Sequence, residues 1–156
     1  FAGAVLVAAL CVSGHVFSAF GGKLAASVIA IAQTKAGLTF CDAFVRGILC
    51  NFLVCIAVWM ANAARTAGGK IAAVFFPIMA FVVAGFEHSI ANMYYLAAGL
   101  FTAGQTGAAA EGLTWGRALI GNLLPVTLGN LVGGGLLVGV SAWYLYLKKE
   151  RNSVNS

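Results

Sequence analysis

Glu87 and His88 are neighbouring titratable side chains inside an apolar stretch that runs from Lys70 to Gly104. An ionisable group at the centre of a membrane span costs about 2.5–3.5 kcal/mol for Asp, Lys or Arg on insertion scales. Two such residues in a row are hard to explain as packing. Imidazole titrates near neutrality, so it offers a cation to an anion or a proton to a weak base. The carboxylate beside it is better suited to holding irregular backbone, by accepting from free amides. Asn92 follows His88 by one helical turn and lies on the same face. Asn51 and Asn130 stand in two other apolar runs, and a buried amide needs partners. Three such amides favour a polar pathway over simple glue between helices. Phe81, seven residues before His88, either forms a dry constriction or packs as any aromatic does. His15 ends an apolar run and has no assigned role.

These groups need a scaffold, and composition names its solvent. Of 156 residues 62% are hydrophobic and 8% charged, against roughly 25% charged in soluble domains. Nine basic and four acidic side chains cannot cover a soluble domain of this size. Lipid wets apolar surface and removes the difficulty, so the chain reads as an all-α membrane protein. The net charge of +5 is scattered singly and does not form a nucleic-acid surface. Its one cluster, Lys148, Lys149 and Arg151, reads as an anchor at the anionic cytoplasmic leaflet. Cys11, Cys41, Cys50 and Cys55 show no CxxC spacing and read as buried thiols, with no metal or cofactor implied.

About 20 apolar residues cross a bilayer. Phe1 to Phe17 reads as the end of a helix that began upstream, in a longer protein. Residues 18–40 form a connecting segment with a short helix between Lys23 and Lys35. Gly47 to Ala64 carries no charge in 18 residues and is a clear span. The 34 residues after Lys70, up to Gly104, are too many for one span and too few for two with a loop. Pro77 removes an amide donor and Gly85 relaxes the backbone. Together they predict a discontinuous helix: one half ending near Met79, irregular backbone to Gly85 with Phe81 in it, and a second half from Phe86 to Phe101. Irregular backbone at membrane depth survives only inside protein or against a water-filled cavity. A Gly/Ala-rich loop leads to the last uncharged run, Ala118 to Leu147. There the pairs Gly129/Gly133 and Gly135/Gly139 allow close helix approach, and Trp143, Tyr144 and Tyr146 form an interfacial belt. With the tail cytoplasmic, Arg65 and Lys70 are inside, and Lys23, Lys35, Arg46 and Arg117 outside.

Three strings carry a resemblance. They are Arg46-Gly47-Ile48-Leu49-Cys50-Asn51-Phe52-Leu53-Val54-Cys55, then Gly85-Phe86-Glu87-His88-Ser89-Ile90-Ala91-Asn92-Met93, then Leu124-Pro125-Val126-Thr127-Leu128-Gly129-Asn130. Together they resemble the formate/nitrite transporter family, which includes formate, nitrite and hydrosulfide channels. The resemblance covers the chain from about Ser18 onward. It implies an aquaporin-like protomer of six spans, two of them broken, assembled as a homopentamer in the inner (plasma) membrane of a prokaryote. On that map residues 1–17 end the third transmembrane helix and 41–64 are the fourth. Residues 71–101 are the broken fifth, 102–116 a loop, 117–147 the sixth, and 148–156 a cytoplasmic tail. The family's first broken helix and its gating loop have no counterpart here. The family's pore histidine falls on His88, its glutamate neighbour on Glu87 and its downstream asparagine on Asn92. The lysine before the fourth span falls on Lys35, the asparagine grouped with it on Asn51, and the aromatic constriction on Phe81.

The mechanism this implies begins with Lys35 concentrating a small anion. An apolar constriction near Phe81 makes the bare charge costly, so the anion's effective pKa rises. Proton gain at or near His88 then lets the neutral acid cross. Formate, nitrite and hydrosulfide suit such a step; chloride does not. The partners are therefore small anions, protons and the bilayer. A water or glycerol channel would want Asn-Pro-Ala turns, and neither Pro77 nor Pro125 follows an asparagine. A non-transporting anchor or assembly subunit would use the same glycines and asparagines for packing alone. No HExxH, paired aspartates or serine nucleophile motif marks an enzyme.

Overall fold

The computed structural model describes residues 1–147; the expected cytoplasmic tail, 148–156, lies outside the described residues. Every regular element among the described residues is helical. Helix α1 (Ala2–Ser13) has no charged residue and ends at Gly14, whose N–H reaches the Leu10 carbonyl at 2.8 Å. A tight turn (Val16–Gly22) leads into α2 (Lys23–Ala36). Helix α3 (Phe40–Ala63) begins at Thr39, whose hydroxyl accepts from the Asp42 N–H and meets the Asp42 carboxylate at 2.7 Å. Helix α4 (Ala67–Val83) is capped by Thr66, and α5 (Ser89–Thr106) by His88. The last helix, α6 (Arg117–Tyr146), is 30 residues long.

Residues Val16–Ala36, Phe40–Ala63 and Arg117–Tyr146 are long and apolar enough to cross a membrane. The first of these is not one rod. Phe20, Gly21 and Gly22 all have positive φ, and the non-helical backbone there leaves α2 with 14 residues, about 21 Å at 1.5 Å per residue. Large apolar side chains such as Leu6, Leu10, Ile71, Phe76, Ile120, Leu131 and Leu136 point outward. The chain is a membrane protein, and those faces have the character that lipid requires.

The described chain forms two compact units, Phe1–Ala43 with His88–Pro125, and Phe44–Glu87 with the chain from Val126. In the first, α5 packs against both α1 and α2. Its core mixes alanines with a few larger residues: Ala8, Val12, Phe17, Ala25, Ala97 and Ala98 in one cluster, and Ala32, Ala36, Leu96, Leu113, Ala118 and Leu123 in another. Gly99 of α5 lies so close to Ala32 of α2 that any added Cβ would collide with it. Gln105 fastens α5 to α1 through the Val12 carbonyl at 2.8 Å.

In the second unit α6 meets α3 with almost nothing between the backbones. A Cβ on Gly129 would strike the Phe44 carbonyl, and one on Gly133 the Ile48 carbonyl; one on Gly47 would lie 2.7 Å from the Val126 carbonyl. This is the close approach the Gly129/Gly133 spacing predicts. The second expected pair does not share it: Gly135 has nothing within 4 Å, and Gly139 meets only the Gly134 carbonyl of its own helix.

The interruption between α4 and α5 also differs from the sequence expectation. Helix α4 runs on through a buried Pro77 to Val83, past Met79, so Phe81 sits on a helical turn. One missing amide did not end the helix. The termination belongs to Gly85, whose φ of +69° is a backbone region open to glycine at no steric cost.

Adding a single methyl group therefore separates the two glycine pairs. Gly133→Ala pushes against backbone that cannot move locally, an overpacking cost of about 1–3 kcal/mol or more. Thermal unfolding of the solubilised full-length protein is expected to shift down by several degrees for Gly133→Ala, with Gly135→Ala unchanged or slightly raised.

Candidate functional site

The segment from Ala84 to His88 accounts for its own main-chain hydrogen bonds almost completely. Gly85 sits one residue beyond the α4 cap and donates to the Val82 carbonyl at 3.1 Å, and Phe86 donates to the Phe81 carbonyl at 3.0 Å. These are the two bonds of a Schellman motif, with glycine in its left-handed position. At the other side, the His88 backbone is extended and its Nδ1 accepts from the Ala91 N–H at 3.2 Å. That bond satisfies one of the orphan donors of the first turn of α5. In the neutral ring, Nδ1 accepting a hydrogen bond leaves the proton on Nε2. The His88 carbonyl in turn accepts from the Asn92 N–H at 2.9 Å.

Glu87 falls between these two devices, in neither helix. Within the second unit its N–H reaches the Arg46 carbonyl at 3.4 Å. Its carbonyl accepts from Asn130 Nδ2 at 3.0 Å, and the same amide nitrogen donates to the Gly47 carbonyl at 2.9 Å. Asn51 Nδ2 then donates to the Asn130 carbonyl at 2.7 Å. Arg46 leans toward the Gly85 carbonyl at 3.5 Å. Asn130 thus joins α3, α6 and the irregular segment, with both Glu87 and Asn130 buried. Phe81, also buried, contributes the carbonyl that closes the end of α4.

The first unit has its own bridge. Asn92 Nδ2 donates to Asn122 Oδ1 at 2.9 Å, and Asn122 Nδ2 donates to the Lys35 carbonyl at 2.9 Å. Both asparagines are almost completely buried, at 1% and 0% exposure. The Lys35 ammonium lies 5.6 Å from the centroid of the Tyr95 ring.

The expected residues thus fall into two groups. Lys35, His88 and Asn92 belong to the first unit, where hydrogen bonds through Asn122 and along α5 link them. Asn51, Glu87 and Phe81 belong to the second, where Asn130 links the first two. Sequence reasoning missed Asn122 and Tyr95. Asn122 stands in the same uncharged run as Asn130, and the criterion that selected the other asparagines selects it too. Tyr95 offers no such signal, because an aromatic residue in an apolar helix is ordinary. Asn122 lies in a stretch of α6 with widened turns, Arg117–Leu123, a departure that is frequent at functional positions, whereas Asn130 ends the tighter Leu124–Asn130. Among the described residues no three His, Cys, Asp or Glu side chains gather as metal ligands.

A family model described as formate/nitrite transporter matches residues 1–144. The chain is 46% identical over 131 residues to the probable formate transporter of Methanothermobacter thermautotrophicus, covering 84% of this chain and 44% of that protein. It is 39% identical over 162 residues to the formate channel FocA of Escherichia coli (strain K12), covering 95% and 56%. A solved pentameric formate channel with formate bound aligns with a TM-score of 0.82 at 37% identity, covering 93% of this chain and 61% of that one. The chain spans about half the length of these curated relatives.

Asn130 supplies hydrogens to the Glu87 carbonyl, which lies outside any helix, and to the Gly47 carbonyl inside α3. Removing this buried donor costs about 1–3 kcal/mol. Asn130→Asp and Asn130→Leu are expected to lower the thermal midpoint of the solubilised full-length protein strongly. A midpoint equal to the parent's in both variants would remove the clamp from the account.

Proposed function

Because the chain belongs to the formate/nitrite transporter family, we propose that its full-length protein conducts small monovalent anions of weak acids, formate or nitrite foremost. In this reading it works as a homopentamer in the plasma membrane of a prokaryote, with the C-terminus cytoplasmic. The relatives named above, a probable formate transporter and formate channels, one of them solved as a pentamer, support it. The observation that carries it is the imidazole of His88 at a helix interruption in a chain of apolar helices.

The residues divide the work as follows. Lys35 gathers the anion electrostatically. Phe81 contributes the apolar constriction that makes bare charge costly, which favours the neutral acid. Glu87 and Asn51 belong to the brace that keeps the interrupted backbone in place, and Asn92 holds the bridge that ends at Lys35. His88 stabilises the anion's oxygen through Nε2–H. The bond that Nδ1 accepts from Ala91 argues for a proton relayed by water. A neutral ring that gave up its Nε2 proton would become an imidazolate, whereas a ring that took a proton on Nδ1 would release the helix cap. The balance is simple: formate takes one proton on one side, crosses as formic acid, and returns the proton on the other.

Substitution at His88 tests this. Asn is a good helix cap and carries an amide donor, but it does not titrate. In proteoliposomes, His88→Asn is expected to keep formate flux within about tenfold of the parent, while His88→Leu loses more, in line with the weight of one oriented donor in a dry site. Flux in both the parent and His88→Asn should rise as pH falls, because the acid supplies the crossing species. An unchanged rate in His88→Leu removes the histidine from the mechanism. Parallel assays with nitrite and hydrosulfide identify the preferred anion, and a protein that passes none of the three is the anchor or assembly subunit instead.

A further inference from the structure

We infer that the groove between α3 and α6 binds one anionic glycerophospholipid, with an acyl chain in the groove and the headgroup at its basic end. The site needs only that the chain spans a membrane, not that it transports. The two helices run in the same direction and touch where Gly129 and Gly133 meet the Phe44 and Ile48 carbonyls. Beyond that point they part. A Cβ on Gly134 would still meet Asn51 and the Cys55 thiol, whereas one on Gly139 would meet no atom of α3 within 4 Å. The opening is a groove of about 350 Å³, lined by Cys55, Val58 and Trp59 on one side and Gly134, Val138 and Ala142 on the other. Trp59 and Tyr146 span it again at the far end, edge to face, with ring centroids 5.8 Å apart. From Gly134 to Tyr146 is twelve residues, about 18 Å of helix.

An apolar groove of this kind does not hold water. Both of its helices are long and apolar enough to cross a membrane, so hydrocarbon is its natural occupant. A chain of methylenes follows such a slot by rotating its single bonds, as a methionine side chain fills an irregular gap. The end that Trp59 and Tyr146 close is also the basic end. Helix α3 stops at Ala63 and is followed by Arg65, which is exposed, and by Lys70. The sequence continues from α6 into Lys148, Lys149 and Arg151, against a single acid there, Glu150. Amphipathic rings sit at headgroup depth, and each basic residue near the surface adds attraction for anionic lipid. Asn62 lies at the same end of the groove, and its amide offers hydrogens to ester or phosphate oxygens. Apolar slot, aromatic rim and cationic edge follow one another in the order of a phospholipid's chain, glycerol and phosphate.

The test counts the lipids that the solubilised full-length protein retains, by native mass spectrometry, after titration with phosphatidylglycerol or phosphatidylcholine. The parent is expected to keep phosphatidylglycerol under conditions where phosphatidylcholine has left. Gly139→Leu fills the groove and should reduce retained phosphatidylglycerol to the level of phosphatidylcholine. Gly135→Leu adds the same bulk where nothing lies within 4 Å, outside the groove, and should track the parent. Arg65→Gln should cut the preference for phosphatidylglycerol about fivefold, the weight of one basic residue near the surface. If Gly139→Leu does not fold, phosphatidylglycerol with brominated chains serves instead: quenching of tryptophan fluorescence that Trp59→Phe removes supports the site. Equal retention of the two lipids by the parent, equal loss in Gly139→Leu and Gly135→Leu, or quenching unaltered by Trp59→Phe overturns the lipid. Loss of the oligomer in Gly139→Leu with the lipid count per protomer unchanged assigns the groove to a second copy and overturns it too. An unchanged preference in Arg65→Gln overturns the placement of the headgroup.

Discussion

The Glu87 carbonyl belongs to no helical ladder, and lipid offers it no water. A backbone group left unpaired in that setting is expensive, so an interruption between α4 and α5 persists only where the protein supplies the missing partners. Asn130 does so with one nitrogen, which donates to Glu87 and to Gly47. An asparagine side chain is short, and it reaches across to α3 only because the helix backbones nearly touch. Gly47, Gly129 and Gly133 remove the side chains that would hold α3 and α6 apart. The glycine spacing and the amide clamp are therefore one device. The first brings the carbonyls within reach and the second satisfies them.

The same solution recurs in the first unit with a different end. There the close packing is between α2 and α5, at Ala32 and Gly99, and the buried amide is Asn122. Its oxygen receives from Asn92 and its nitrogen gives to the last turn of α2. What this bridge holds is the base of a cation. A chain with nine basic residues, most of them at the ends of apolar runs, has few places to set a positive charge against an aromatic ring. Lys35 over Tyr95 is such a place, with its carbonyl bonded to Asn122.

Much of this was readable in the residues. Composition gave the solvent, and Glu87 with His88 marked the interrupted helix. The break itself lies at Gly85 and not near Met79, because α4 continues through Pro77 to Val83. Proline deletes one bond from a ladder that its neighbours still support, whereas glycine at positive φ reverses the chain and completes a Schellman motif. Hydropathy alone likewise misses the turn at Phe20 to Gly22, because it counts apolar area and is blind to φ. The Gly135/Gly139 spacing matched the contact pattern of Gly129/Gly133, but spacing does not say which face meets a neighbour. Asn122 is legible in the same uncharged run as Asn130; Tyr95 is not, since its partner is set by the register of α2 against α5.

His88 joins local structure to chemistry in one atom. The lone pair of Nδ1 is committed to the first turn of α5, so a proton arriving there would compete with the Ala91 N–H for it. A ring that carried protons directly would uncap the helix in every cycle, and α5 would feel each change of charge. A ring that only donates through Nε2 leaves the helix undisturbed while acid forms and leaves beside it. In the proposed passage for a weakly basic anion, the second arrangement keeps Asn92, one turn further along α5, in register with the bridge to the Lys35 carbonyl. The helix cap is therefore more than a terminus: it ties the tautomer of His88 to the turn of α5 that carries Asn92 and its bond to Asn122.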